Sequence, residues 1–352
     1  MFDKFFDLQL FAAGTLVNAT TQYVNADTGE GIAFEGVNTL TPGMKTFYDT
    51  ALLENARTQL YFEQLGRKQA LPKNHGRVVE WRKWNTLPRA DVLKEAVIPN
   101  GQKLGQTTLS TALEQYGMFV AISDLLELHH VDDTLMAATE ELGASAAESK
   151  DILIRNVLQT GTSVMFADNV AADGTKTTVT GYADMDPDTN RLTPDTVARA
   201  ATHLKKMKAP TINGKYVAVV HPSVVYDLRS SDYWVEAHKY ANTTEIFNGE
   251  IGELHGVRFI ETTNAKITEE TVSGGKAMVY SSLFFGKDAY GVIDAAGGSM
   301  EMIIKNKDQA GGPLNQFSTA GYKFEDSTKI LYQERMLRVE SCSAFSKVDQ
   351  AN

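Results

Sequence analysis

Five consecutive residues, His129-His130-Val131-Asp132-Asp133, are the most metal-like group in the chain. Zinc and other transition metals take imidazole and carboxylate ligands. Neighbours in sequence rarely converge on one ion, however. Two aspartates at the head of a helix also satisfy its free N–H groups, so capping is the simpler use. The series Asp184, Asp186, Asp188 and Asn190 resembles the opening of a calcium loop, with Asp195 at the twelfth position. That loop needs Gly sixth and Glu twelfth. Here Thr189 is sixth, Asp195 stands for Glu, and Pro187 interrupts the turn, so a polar loop is expected.

Nucleophilic and phosphate-binding patterns fail on their missing glycines. Gly174-Thr175-Lys176-Thr177 has no upstream glycine for a phosphate cradle, and Gly161-Thr162-Ser163-Val164-Met165 lacks the downstream glycine of a nucleophile elbow. No glycine-rich dinucleotide fingerprint follows a strand-like run. His221 precedes Pro222 at a strand end, where a catalytic group could sit, but reads as a turn histidine; His75, His203, His238 and His255 have no arguable partner. The single cysteine, Cys342, excludes an intramolecular disulfide and a multi-cysteine zinc site. It lies in an alternating run and is expected to be a buried, inert thiol, and a reducing compartment fits. No catalytic, cofactor-binding or metal-binding residue is therefore assigned, and no cofactor is expected.

The informative elements are architectural. Between Gly76 and Asp124, two β-like runs, Arg77–Trp84 and Thr107–Ile122, flank a segment rich in proline, glycine and charge. So long an excursion from a compact domain is usually a functional loop or a linker. With both arms rich in Val, Trp, Leu and Thr, it reads as an extended hairpin. Such an arm has little to bury against at home and is expected to bury its apolar groups on a neighbouring copy. Residues 57–103 hold ten basic against four acidic residues, in a chain of net charge −10. Local charge of this kind steers and registers contacts. Arg77, Trp81, Arg82, Trp84, Arg89 and Lys94 are the candidate inter-subunit contacts, since Trp and Arg dominate interface hot spots.

Residues 1–40 read as an arm that orders only by lying on something else. Its apolar tip adds Phe5, Phe6 and Phe11 to the candidate contacts. Asp3, Lys4, Asp7 and Gln9 break that tip, so it is no signal peptide. No window approaches the roughly 18 apolar residues of a membrane span, and a soluble, unexported protein with no membrane partner is expected. Thr41-Pro42 opens a helix to about Gly66.

A long helix is expected over Asp133–Thr160, burying Leu135, Leu142, Ala146, Leu153 and Val157 on one face. Short strands and turns follow to Asn190. Another capped helix starts at Thr193-Pro194, with a buried strand over Tyr216–Val220 and a helix from Pro222. Strands are expected at Val257–Glu261 and Ala277–Tyr280, and a strand pair at Gln316–Phe324 with Lys329–Glu340. The 352 residues, 43% hydrophobic and 22% charged, suffice for a sizeable core.

The order of arm, extended hairpin, long helix and α/β region resembles the major capsid protein of tailed phages, with the Hong Kong ninety-seven-like fold. Phe6-Asp7-Leu8-Gln9-Leu10-Phe11-Ala12 resembles the opening of structural proteins from phages of Gram-positive bacteria. Thr41–Asp49, Tyr216–Pro222 and Gly252–Ala265 resemble the capsid family typified by coliphage N-four. The resemblance spans about residues 40–345 and rests on the order of these stretches.

It implies an α+β fold divided into an N-terminal arm (1–40), a helical region (41–72), an E-loop (73–123), a peripheral domain with its spine helix (124–194), an axial domain (195–300) and C-terminal strands (301–352). It implies a structural, non-enzymatic subunit that self-assembles into hexamers and pentamers of an icosahedral shell around double-stranded DNA. The implied partners are further copies, a portal protein, scaffold or decoration proteins, and DNA held without base reading. The location implied is the virion, with assembly in the bacterial cytoplasm. A Lys–Asn cross-link, found in some relatives, is assigned to no residue, and little or no processing of residues 1–40 is expected. The acidic chain suggests a lumen that repels DNA. Alternatives are an encapsulin-like nanocompartment shell, a tail or neck protein forming rings, and a soluble oligomeric α/β enzyme.

Overall fold

The computed structural model describes residues 61–72, 76–85, 87–90, 92, 101–124, 126, 134–171, 173–231, 252–295, 300–310, 314–346 and 349–352. The arm 1–40, most of the helix read from Thr41, and the cluster His129–Asp133 lie outside these residues, as do the candidate contacts Phe5, Phe6, Phe11 and Lys94.

In chain order, α1 (Tyr61–Leu65) leads to β1 (Arg67–Leu71), β2 (Val78–Trp84), β3 (Gln106–Ala112) and β4 (Glu114–Ser123). The long helix α2 (Thr134–Gln159) precedes β5 (Val164–Phe166), β6 (Asn169–Val170) and β7 (Lys176–Thr177). Helix α3 (Pro194–Lys206), β8 (Tyr216–Val220) and α4 (Pro222–Arg229) follow, then β9 (Glu253–Leu254), β10 (Val257–Glu261), β11 (Ile267–Val272) and β12 (Gly275–Phe285). The last strands are β13 (Tyr290–Ala295), β14 (Glu301–Lys305), β15 (Phe317–Asp326), β16 (Thr328–Ile330) and β17 (Met336–Ser341).

Two compact units divide these elements. One comprises Glu114–Ile152 and Asp294–Asp326; the other comprises Tyr61–Leu113, Leu153–Ile293 and Ser327–Asn352. The larger unit is organised by a seven-stranded mixed sheet ordered β5-β17-β12-β8-β10-β9, with β11 also on β12. Every residue of β8 is buried, as a strand covered on both faces requires. Tyr216, Ala218 and Val220 join Val197, Leu204, Val224 and Leu228 of α3 and α4. Val219 joins Phe62 of α1 with Ile154 and Leu158 of α2 on the other side.

The helices around this sheet start where the sequence stops them from starting earlier. Thr193 caps α3, its Oγ1 accepting from Thr196 N at 3.3 Å, with Pro194 in the first turn. His221 caps α4 in the same way: Nδ1 accepts from Ser223 N at 3.2 Å. At the β9–β10 turn, His255 and Gly256 both have positive φ, 52° and 79°. That pair forms the tight hairpin turn whose twist matches its strands, within the Gly252–Ala265 stretch.

The smaller unit holds the sheet β14-β15-β4. Its inner face carries Ile122, Met302, Ile304, Ala320, Tyr322 and Phe324, all buried. The Tyr322 hydroxyl lies 3.4 Å from Ser145 Oγ of α2.

Three expectations are corrected. The run Thr107–Ile122 is not one arm: it divides at buried Leu113, with β3 bonded to β2 and β4 bonded to β15. Gln316–Phe324 and Lys329–Glu340 do not pair, because β15 bonds β4 and β14 while β17 bonds β12 and β5. The buried stripe of α2 runs through Thr139, Leu142, Ala146, Asp151, Ile154, Arg155 and Leu158, leaving Leu135, Leu153 and Val157 half exposed. An apolar-only template misses it because two of its members are charged: Arg155 donates to Asn264 O at 2.8 Å.

Glu340 on β17 is 1% exposed; it lies 2.7 Å from Arg338 Nε and accepts from Ser281 Oγ at 2.8 Å. Burial pushes its carboxyl pKa up, and Arg338 opposes this. A raised folded-state pKa means that the folded chain binds the proton more tightly than the unfolded one. Stability is therefore lost as pH rises from the ordinary carboxylate range through the raised value. Glu340→Gln removes this titration. The urea midpoint of the variant relative to the parent is expected to climb across that window, and a pH-independent difference would contradict the assignment.

Candidate interaction site

Strands β2 and β3 form an antiparallel ribbon in which Trp81 faces Leu109 and Trp84 faces Gln106. A two-stranded ribbon is marginal in water, so one face must be held. Side chains alternate along β2, and the inward set is Val79 and Trp81, 7% and 8% exposed, followed by Lys83. The indole of Trp81 lies on Gly291 of β13, its Cζ2 3.0 Å from where a Cβ would stand, with Leu331 beside the same glycine. Lys83 Nζ sits 4.3 Å from the ring centre of Tyr332 and 3.4 Å from Glu334 Oε2. The guanidinium of Arg335 lies 3.8 Å from the same ring. Thr111 and Ser327 share a hydroxyl hydrogen bond of 2.7 Å. Arg77 closes the base: Leu113 N donates to its carbonyl at 2.9 Å and its Nε donates to Leu113 O.

The outward set is different. Val78 is 55% exposed and Trp84 is 59% exposed, with Glu80 and Arg82 between them. Past Trp84 the ladder continues for one more rung, Asn85 N to Gly105 O at 2.9 Å. Beyond it Leu87, Val92 and Leu104 are each more than half exposed, and Arg89 is exposed as well. The ribbon thus spends one face on its own unit and presents apolar and basic side chains elsewhere.

The sequence candidates are separated by this geometry. Trp84, Arg82 and Arg89 lie open, while Trp81 is packed within its own unit and Arg77 is engaged with Leu113. The claim that the arm has little to bury at home holds for its far part and fails for its base. Leu87, Val92 and Leu104 were not singled out in sequence. The signal that could have found them is apolar residues scattered through a run otherwise rich in proline, glycine and charge.

Residues with chemical promise are spent on turns. Asp186 accepts from Asp188 N at 3.0 Å and from Thr189 Oγ1 at 2.9 Å. Asn190 donates to Ala167 O and accepts from Cys342 N, and Asp184 accepts from Thr180 Oγ1. Asp195 pairs with Lys176 at 2.8 Å, which holds its pKa down. His221 stacks near Tyr280, and burial lowers its pKa against the pull of Asp349. The Cys342 thiol is buried, and burial pushes it up to about 11. Among the described residues no group of three or more His, Cys, Asp or Glu is placed to hold a metal ion. No described helix is long and apolar enough to cross a membrane.

The two tryptophans of β2 should separate cleanly. Trp81→Ala is expected to cost about 3–5 kcal/mol in urea unfolding, as for a buried aromatic truncation. Trp84→Ala is expected to change stability by no more than about 0.5 kcal/mol. Equal costs would mean that the ribbon is held otherwise than described.

Residues 106–327, more than half of the chain, match the phage capsid protein family. No curated protein matches the sequence. Among solved structures, the capsid of Ralstonia phage GP4 has a TM-score of 0.64 at 15% identity, covering 94% of this chain and 98% of that one. The capsid of cyanophage Pam1 has a TM-score of 0.62 at 14% identity, covering 92% and 99%. The capsid of Helicobacter pylori phage KHP30 has a TM-score of 0.59 at 9% identity, covering 92% and 98%. At such identities the likeness speaks for the fold: a mixed helix-and-sheet capsid architecture over nearly the whole chain. Family membership gives the chain a structural role located in the virion capsid: it belongs to the phage capsid protein family and is a capsid shell protein.

Proposed function

We propose that this chain is the major subunit of an icosahedral shell, that its copies gather as hexamers and pentamers, and that the shell encloses the double-stranded DNA of a tailed phage. One observation carries the reading: a ribbon fastened at its base that holds Trp84, Leu87, Val92 and Leu104 in solvent, away from any core of its own unit. Exposed apolar residues on a projecting ribbon, interspersed with Arg82, Arg89 and Lys103, are what an inter-subunit contact needs.

On this reading the fold is of the Hong Kong ninety-seven-like, N-four-type kind, and the β2–β3 ribbon with its far loop is the E-loop, lying on an adjacent subunit. Helix α2 is the spine helix, residues 124–194 belong to the peripheral domain, and residues 195–300 form the axial domain. The work done is containment. Many modest interfaces are multiplied by closed symmetry, and nothing in it calls for catalysis. The net charge of −10 favours loose proximity to DNA over wrapping it. Further partners on this reading are a portal protein and scaffold or decoration proteins, with assembly in the host cytoplasm.

The test is electron microscopy of negatively stained particles from the expressed chain, with and without a co-expressed scaffold candidate. Closed polyhedral shells are expected, and simultaneous Trp84→Ser, Leu87→Ser and Leu104→Ser should abolish them while the circular dichroism spectrum stays unchanged. Monomers or flat rings from the unaltered chain under both conditions would overturn the proposal.

A further inference from the structure

Strand β4 is bonded to β15 along its whole length, from Glu114 opposite Asp326 to Ser123 opposite Phe317. Among the described residues no strand lies on its other edge. Residues Glu114–Phe119 are exposed apart from half-buried Tyr116. Two of them are large and apolar: Met118, 45% exposed, and Phe119, 49% exposed. Being adjacent on a strand, they point to opposite faces of the sheet.

On the Phe119 face a row crosses all three strands, Phe119, Gly321 and Ile303. It lies in a groove of about 300 Å³ that also involves Gly117 and Thr319. The glycine makes the hollow. A Cβ at Gly321 would stand 2.7 Å from the Cβ of Phe119 and 2.8 Å from Met118 O. A group seated in this groove would cover Phe119 and leave Met118 open. A strand added along the free edge of β4 would cover both and would also pair the edge's N–H and C=O groups, the usual fate of an open, apolar edge.

The added strand must carry apolar side chains on both of its faces over about six residues. The described edge strands of the larger unit do not. β3 is Gln-Thr-Thr-Leu-Ser-Thr-Ala, β1 begins Arg-Lys-Gln, and β11 holds two glutamates. Phe5–Phe11 does: Phe6, Leu8 and Leu10 share one face at strand spacing, and Phe5 and Phe11 stand on the other. The chain between Ala12 and Tyr61, extended at about 3.3 Å per residue, reaches on the order of 160 Å, which suffices to span to another copy. We propose that Phe5–Phe11 of a neighbouring copy adds as a strand to the free edge of β4, one face against Met118 and the other beside Phe119 and the Gly321 hollow. This rests on the shell reading above, which brings copies together.

The experiment uses two full-length chains distinguished by tag size, mixed before assembly and mildly oxidised. One carries Met118→Cys. The other carries, in turn, a cysteine at each position from Phe5 to Phe11. The natural Cys342 is 2% exposed and stays out of the reaction. The expected result is an interchain disulfide whose yield alternates along the segment, positions 6, 8 and 10 differing several-fold from 5, 7, 9 and 11. Met207→Cys, on an exposed site in the other unit, should give none.

Particles that form without the alternating cross-link overturn the proposal and leave the shell reading standing. So does an equal yield at Met207→Cys, or a Met118→Cys homodimer, which would mean that β4 meets β4. Closure only inside a doubly substituted chain would place the segment in its own copy and also overturn it. Absence of particles from the unaltered chain would remove the shell reading and this proposal together.

Discussion

An indole ring laid on bare backbone holds the β2–β3 ribbon in place. Trp81 reaches Gly291 only because that residue has no side chain, and Leu331 fills the remaining side of the contact. A ribbon of two strands has no core, so this burial, with Val79 beside it, is what orders the base. Lys83 and Arg335 sharing the ring of Tyr332 adds cationic contacts to the same face. Once that face is committed, strand alternation leaves Val78, Arg82 and Trp84 pointing away. The exposed surface that a partner could use is thus a by-product of the contact that fixes the base.

The sheet beneath has to be rigid for such an arm to be aimed. Strand β12 supplies this: β11 and then β8 bond to it along one course, while β17 bonds to its second half. The final residues are tied to the same region. Asp349 accepts from Tyr280 and Ser223, and Asn352 exchanges hydrogen bonds with Ile267 while donating to Ala265 O. These bonds push the Tyr280 phenol up and hold the Asp349 carboxyl down. Carboxylates in this chain act as acceptors for turns and tails, which is why clusters resembling ion sites carry no further donor geometry.

Local signals were legible where they depend on a few neighbouring residues. Thr193-Pro194 and His221-Pro222 start helices because proline cannot donate and the preceding side chain accepts a backbone N–H. The five-residue apolar run Tyr216–Val220 is a doubly covered strand because nothing polar could survive there. The length of α2 and the existence of the ribbon were readable for the same reason, as was the order of elements that resembles a capsid protein.

What the amino-acid order determined alone is therefore the set of elements, their caps and the apolar supply of the arm. Tertiary structure decided the pairings and the sides. Strand partners such as β15 with β4, or β17 with β12, lie far apart in sequence, and period-two alternation does not say which strand is opposite. Whether Trp81 or Trp84 faces inward depends on a glycine two hundred residues away. The buried face of α2 includes Asp151 and Arg155, whose cost is met only by groups brought by other segments, such as the carbonyl of Asn264. A pattern of hydrophobic residues carries no information about such partners, because the free energy that selects them arises only when distant parts of the chain meet.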